Sequence, residues 1–301
     1  MFVKIVTKHN GDWMMKTGTV MDLASTNVIT IPPTSTIMTS MKTMIRYSFR
    51  RLPIADAGTK RLEGIVTATD ILNFLGGGEK NRLVKERYNG NLIAAVNEEI
   101  REIMERNVIT VSTEDSWEDA LELMIKKNVG GVPIINEDEI VKGIITERDL
   151  MIFLASRRSY DDFVSEYMTR GVITAEPDAS IESVMKLMIK KKFRRLPIVK
   201  DGILLGVITS TSLVHYFSGE AFKKLITGDI RDVLDLPVSN LLQNEKILKY
   251  KELLVFHPSA RISEIVRAMI EKNQAAALIV RKELEGIITE RDLMKILYSK
   301  R

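Results

Sequence analysis

The stretch Gly143-Ile144-Ile145-Thr146-Glu147-Arg148-Asp149-Leu150-Met151 recurs without a change as Gly286-Ile287-Ile288-Thr289-Glu290-Arg291-Asp292-Leu293-Met294. A nine-residue identity in a chain of 301 residues marks an internal repeat, and a repeat decides the architecture before any single element does. Two more segments fill the same slot: Gly-Ile-Val-Thr-Ala-Thr-Asp at Gly64–Asp70 and Gly-Val-Ile-Thr-Ser-Thr-Ser at Gly206–Ser212. The shared pattern is a glycine, two apolar β-formers, a threonine and two spacers, closed by an acid in three copies of four.

Working outward, each copy reads as β-α-β-β-α. A short strand comes first (Asn27–Ile31, Asn107–Val111, Gly171–Ala175, Leu253–Phe256), followed by a helix with apolar residues at i, i+3, i+4, i+7 and i+8. That helical face is Ile37, Ser40, Met41, Met44 and Ile45 in copy one, and Trp117, Ala120, Leu121, Met124 and Ile125 in copy two. In copy three it is Ile181, Val184, Met185, Met188 and Ile189, and in copy four Ile262, Ile265, Val266, Met269 and Ile270. The methionines on it read as core residues, not as a cofactor box. A second strand follows (Leu52–Ala55, Val132–Ile135, Leu196–Val199, Ala277–Val280), then a turn, the Gly-h-h-Thr strand and a closing helix such as Asp149–Leu154 or Asp292–Leu297. This order predicts an α/β sandwich with a small mixed sheet in each copy. A unit of about 55 residues is marginal alone and should pair with a neighbour.

The spacing says which copies pair. From Thr67 to Thr146 is 79 residues, from Thr146 to Thr209 is 63, and from Thr209 to Thr289 is 80. Copies one and two are separated by a long insert, as are three and four. The chain is therefore a duplicated two-copy module: an N-terminal segment 1–19, repeats at 20–75 and 94–155 around a linker 76–93, and repeats at 160–217 and 238–299 around a linker 218–237.

Composition narrows the class. The chain is 45% hydrophobic and 28% charged, as a globular protein is. No apolar run approaches the roughly 18–20 residues of a membrane helix. The N-terminus lacks an apolar signal core, which argues against export. Zero cysteines exclude disulfides and thiol metal sites and fit a cytoplasmic setting. A net charge of +4 does not by itself argue for nucleic acid, but clustered basic residues would favour anionic ligands.

The repeats resemble CBS (cystathionine β-synthase) domains, from about Val20 to Leu297. Four of them in two tandem pairs, or Bateman modules, resemble the archaeal relatives of the AMP-activated protein kinase γ subunit. Phe49-Arg50-Arg51-Leu52-Pro53 and Phe193-Arg194-Arg195-Leu196-Pro197 are similar to the basic-Arg-Leu-Pro segment of that subunit. The resemblance implies four β-α-β-β-α repeats in two pseudo-symmetric modules forming a disc, with adenine nucleotides held in clefts between paired domains.

Two readings of the Thr-x-x-Asp turn stand side by side. As a capping device, the Thr is N-cap and the Asp three residues on satisfies a further amide, worth about 1 kcal/mol per helix. As a ligand turn, the carboxylate accepts from two ribose hydroxyls, while the Thr hydroxyl and helix amides face a phosphate. Capping boxes prefer Glu or Gln, yet all three acids are Asp, and Arg148 and Arg291 put a cation in a first helical turn where the dipole disfavours it. The resemblance adds that Asp70, Asp149 and Asp292 would hold ribose and Arg148 and Arg291 would reach phosphate. Thr67, Thr146, Thr209 and Thr289 share the adenosine sites. Ser212 stands where copy three should have Asp, so up to three sites are expected, not four.

The pairs Arg50-Arg51 and Arg194-Arg195 begin a strand, where neighbouring side chains point to opposite faces. One reading is a solvated basic surface continuing Lys190-Lys191-Lys192. Against it, copies two and four carry Gly130-Gly131 and Ala275-Ala276 at the same place, so the fold does not need arginine there. These four arginines could instead be phosphate arms that separate AMP, ADP and ATP. Gly76-Gly77-Gly78-Glu79-Lys80 lacks the Gly-Lys-Ser/Thr ending of a phosphate loop and reads as a turn between modules.

His9, His215 and His257 are isolated, and no metal-ligand spacing or nucleophile motif is present. The repeats occupy nearly the whole chain, so the sequence reads as a regulatory binding protein, not an enzyme. It would have no metal or cofactor, would respond to AMP, ADP or ATP, would act on an unidentified regulated protein, and would be a monomer or homodimer. S-adenosylmethionine or methylthioadenosine is the alternative ligand, although a sulfonium compound without phosphate would gain nothing from paired arginines. Nucleic-acid binding through Lys186–Arg195 and Arg82–Arg87 is disfavoured because Phe193 is the single aromatic among those basic residues, too few for a base-stacking platform.

Overall fold

A computed structural model describes residues 18–157, 160–227, 230–243 and 253–299. The N-terminal segment up to residue 17 therefore lies outside the described residues, as do 228–229 of the second linker and 244–252 of the fourth repeat.

The first helix of each copy forms where the apolar spacing predicts: Ile37–Tyr47, Trp117–Lys126, Ile181–Lys191 and Ile262–Glu271. Thr36, Ser116 and Ser180 cap the first three by accepting from the amide three residues on. Each helix is followed by one residue in the left-handed region, Ser48, Asn128, Lys192 or Asn273, which breaks the helical path and turns the chain toward its next strand. The first four positions of each predicted face are buried. The fifth is not: Ile45, Ile189 and Ile270 are half-buried and Ile125 is exposed, since an i+8 position drifts to the edge of the apolar stripe.

Each helix leads into an antiparallel hairpin: Arg51–Ala55 with Leu62–Thr67, Gly131–Ile135 with Val141–Thr146, Arg195–Lys200 with Ile203–Thr209, and Ala276–Val280 with Leu284–Thr289. All four share one register and a bulge at the same place, just after Ile54, Ile134, Ile198 and Ile279. The glycine of the repeat faces that isoleucine, and the threonine faces the first residue of the hairpin. The expected opening strands are shorter than the sequence suggests. Val111–Ser112 and Val255–Phe256 pair in parallel with the hairpin, whereas copies one and three make single bridges, Ile31 to Ile54 and Ala175 to Ile198. Pro32-Pro33 and Pro177 follow those bridges and bring no amide to continue a ladder.

Backbone bonds and apolar cores join the copies in different combinations. The segment before each copy pairs with the other member of its module. Val20 donates to Asp115 O (2.8 Å) and Ser25 to Ile144 O (3.0 Å), so the stretch leading copy one lies on copy two. Ile37 donates to Glu98 O (2.9 Å), and Ile65 bridges Glu105, so the stretch leading copy two lies on copy one. Thr169–Arg170 extends the sheet of copy four, and Ile181 donates to Leu236 O (3.0 Å), repeating the exchange in the second module. The buried side chains instead fuse copy one with copy three, and copy two with copy four. Each copy thus has a hydrogen-bonded neighbour and a core-sharing neighbour, which closes the four into a ring.

Gly76-Gly77-Gly78 serves the second kind of contact. A Cβ on Gly77 would come within 2.8 Å of Ile189, and one on Gly78 within 3.0 Å of the same side chain, so the glycines let the chain turn against the first helix of copy three. Among the described residues no helix is long and apolar enough to cross a membrane.

Candidate functional site

The closing helices begin at the repeated turn, and in all four copies the turn is a reciprocal cap. The Thr67, Thr146 and Thr289 hydroxyls donate to Oδ2 of Asp70, Asp149 and Asp292 at 2.6, 2.6 and 2.7 Å, and the threonine amides donate to the same oxygens. In copy three, Thr209 N donates to Ser212 Oγ (2.9 Å) and Ser212 N to Thr209 Oγ1 (3.0 Å). The cap engages only one carboxylate oxygen. Oδ1 of Asp149 and of Asp292 has no protein partner among the described residues, whereas Oδ1 of Asp70 is bonded to Lys80 Nζ. The Asp149 carboxyl titrates above its ordinary value. Burial is the main cause, opposed by the hydrogen bonds from Thr146, and Glu290 adds to the rise against a smaller pull from Arg148.

Beside the turns of copies two and four lie two acids, Glu147 and Glu290, each only 2–3% exposed. Glu290 takes Arg50 Nη1 at 2.8 Å and Arg148 Nε at 2.7 Å. Glu147 takes Arg194 Nη2 at 3.1 Å and Arg291 Nε in a short pair. Every one of these pairs crosses from one module to the other. The arrangement is two-fold: Arg148 also donates to Gln274 O (2.6 Å) in copy four, and Arg291 to Asn128 Oδ1 in copy two.

Sequence reading placed nothing on Glu147 and Glu290, which occupied spacer positions. The available signal was that both stand in the two identical repeats, where copies one and three have Ala68 and Ser210. Their role depends on partners 47 to 240 positions away in the chain.

The shared register explains how the remaining arginines reach this centre. Arg51 and Arg195 face Thr67 and Thr209 across their hairpins, while Gly131 and Ala276 face Thr146 and Thr289. Arg51 Nη1 donates to Gly130 O at 2.5 Å. A Cβ on Gly130 would lie 2.6 Å from Arg194 Nη1, 2.8 Å from Glu147 Oε2 and 2.9 Å from Arg51 Nη2, and one on Gly131 would overlap Arg51. The absent side chains of copy two therefore make the room into which arginines of copies one and three extend. Both members of the Arg50-Arg51 pair reach the centre, one toward copy four and the other toward copy two.

Four arginines thus pair with two glutamates, and Arg51 and Arg195 act on the same group through space, an excess of four positive charges over the two acids. Arg51 and Arg195 are half-buried. Arg51 is pulled down to about 10 by burial and then by Arg194, and Arg195 to about 9 by burial and then by Arg50. Glu290 titrates below its ordinary value: burial alone would raise it, but Arg50, Arg148 and Arg195 together outweigh burial. Such a centre disfavours its own charge and gains from an added anion. Among the described residues no group of three His, Cys, Asp or Glu side chains could hold a metal ion. His9 lies outside the described residues.

A protein-family profile described as "CBS domain" matches four stretches, residues 20–77, 100–156, 164–219 and 248–299. Among curated proteins, the uncharacterised protein MJ1225 of Methanocaldococcus jannaschii is 36% identical over 271 residues, covering 89% of this chain and 94% of that protein. An uncharacterised 33.4 kDa protein of Thermofilum pendens is 28% identical over 267 residues, 88% of this chain and 86% of its own length. The crystal structure of MJ1225 superposes with a TM-score of 0.86 at 34% identity, covering 92% of this chain and 99% of that one. That protein is described as a suggested archaeal homologue of g-AMPK.

Proposed function

The chain belongs to the CBS-domain family, and on that premise we propose that it is a regulatory adenine-nucleotide-binding protein, a sensor of AMP, ADP and ATP similar to the AMP-kinase γ subunit. The observation that carries this reading is the convergence of six arginines beside two carboxylates, Asp149 and Asp292, whose outer oxygens stand open. An unpartnered carboxylate oxygen on a half-buried turn suits the paired hydroxyls of a ribose. The arginine centre suits phosphates, since a guanidinium about 4 Å from a phosphate is worth roughly 4 kcal/mol at an effective dielectric of 20. Arg148 directly precedes Asp149 in the chain, so one turn would offer both a ribose acceptor and a phosphate donor.

The nucleotide would report its presence by competition. A phosphate that takes Arg148 or Arg50 draws it from Glu290, and one that takes Arg291 or Arg194 draws it from Glu147. These are the ion pairs that join the modules, so occupancy shifts the balance between two arrangements by no more than the difference in affinity for them. A regulated protein in the cytoplasm would read that balance. Four copies that close a ring within one chain support a monomer.

The test is calorimetric titration of AMP, ADP, ATP and S-adenosylmethionine into wild-type protein, Asp149→Ala, and Arg51→Ala combined with Arg195→Ala. The expected result is nucleotide binding, loss of one site in Asp149→Ala, and a narrowed affinity gap between AMP and ATP in the arginine double variant. Binding of S-adenosylmethionine with no nucleotide binding would replace the phosphate reading with a sulfonium one.

A further inference from the structure

The three Thr-x-x-Asp turns are alike in sequence but not in availability. Asp149 and Asp292 each spend Oδ2 on the cap and leave Oδ1 open. Asp70 makes the same cap through Oδ2, at 2.6 Å from Thr67 Oγ1 and 2.9 Å from Thr67 N, but its Oδ1 forms an ion pair with Lys80 Nζ. Lys80 is not a loose surface side chain. Its Nζ also donates to Ile103 O at 2.6 Å, and its amide donates to Asn73 Oδ1 at 2.7 Å. The next residue, Asn81, is buried and donates to Phe74 O at 2.7 Å. Two bonds thus close the chain between positions 73–74 and 80–81, and the same turn is wedged by Gly77 and Gly78 against Ile189 of copy three.

We propose that Lys80 is a built-in occupant of the first copy's ribose position, so that the wild-type chain binds two nucleotides, at Asp149 and Asp292, and not three. The inference rests on the nucleotide reading above. An ammonium is a three-proton donor carrying a full charge, and here it satisfies both the carboxylate and a carbonyl. A neutral ribose diol offers the same carboxylate two uncharged donors in place of a charged one and takes from the Ile103 carbonyl its lysine donor, so it loses the exchange. Copy three is closed by other means. The Ser212 hydroxyl accepts from Thr209 N and donates to Thr209 O at 2.8 Å, so its local bonding is complete and it carries no charge. Copies one and three, the two that share one core, then supply arginine arms. Copies two and four, which share the other, supply the ribose clamps. The lysine that closes the Gly76-Gly77-Gly78-Glu79-Lys80 turn becomes the residue that sets the number of sites.

Stoichiometry decides it, with AMP as the probe in calorimetry. Wild type is expected to bind two equivalents, Asp149→Ala one, and Asp70→Ala still two at unchanged affinity. Lys80→Met is expected to bind three, with the third lost when Asp70→Ala is added. Three equivalents in the wild type, or loss of one on Asp70→Ala alone, overturns the role of Lys80 while leaving the nucleotide reading intact. Two equivalents in a Lys80→Met variant that keeps its wild-type circular dichroism also overturns it. No binding of AMP to any form overturns the nucleotide reading itself. If Lys80→Met does not fold, the Asp70→Ala result still decides.

Discussion

Arg195 is held down to about 9 because burial removes water from its charge and Arg50 repels it. In the free protein its charge costs stability at every pH below that value. Between about 9 and the ordinary arginine range the unfolded chain keeps a proton that the native chain has released, so this group's contribution to unfolding free energy rises with pH there. A bound polyanion reverses the preference by favouring the charged form. Affinity for ATP is therefore expected to fall as pH is raised from 8 to 10, with adenosine, which has no phosphate, as the flat control. Parallel curves for the two ligands would show that the arginines do not meet the phosphates. The Asp149 carboxyl shifts the other way from its ordinary value, upward, because burial disfavours its anion. It is stabilised there by Thr146, whose hydroxyl can bond the carboxylate and cap the helix with the same oxygen atom.

At the level of the element, cap and clamp are separable because the cap is common to four helices while the open carboxylate oxygen belongs to two. Thr209→Ala removes a cap from a copy with no acid and should cost about 1 kcal/mol of stability with nucleotide binding unchanged. Asp292→Ala should cost a similar amount and remove one site. Chemical denaturation together with titration reads both quantities, and equal binding losses in the two variants would reduce the turn to a capping device. The helices and hairpins were legible in the sequence since each carries its own period: apolar residues at helical spacing ahead, and a Gly-h-h-Thr strand behind. The opening strands were less so. Asn27–Ile31 and Gly171–Ala175 look like strands residue by residue, but only one residue of each reaches the hairpin edge before a proline ends the opportunity.

Over the whole molecule, the centre is held by charges that each module lends to the other. Glu147 and Glu290 are buried acids with two arginines apiece, and breaking a buried pair costs about 3–5 kcal/mol because the partner's charge is stranded. Glu147→Gln with Glu290→Gln should lower the urea midpoint markedly, and saturating ATP should restore part of the loss by supplying the missing negative charge. A ligand at 100 times its Kd adds about 2.7 kcal/mol by mass action alone, so recovery beyond the wild type's own ATP response is the quantity to measure. An equal response in both proteins would mean that phosphate and carboxylate do not compete for the same arginines.

The sequence by itself determined the four copies, their pairing by spacing, the order of elements within each and the threonine–aspartate turns, because these are local patterns repeated along the chain. It also marked all six arginines, four because copies two and four lack the pair that copies one and three carry, and Arg148 and Arg291 because each puts a cation in a first helical turn. What only the tertiary structure decided was which groups meet. Glu147 and Glu290 gained meaning from arginines in other copies, Gly130-Gly131 from guanidinium groups that fill their missing side chains, and Lys80 from a carboxylate ten residues back that a tight turn brings to it. Each of these is a contact between residues whose own surroundings in sequence carry no trace of the partner. Coulomb attraction and steric room act on distance in space, and closure of the ring sets that distance.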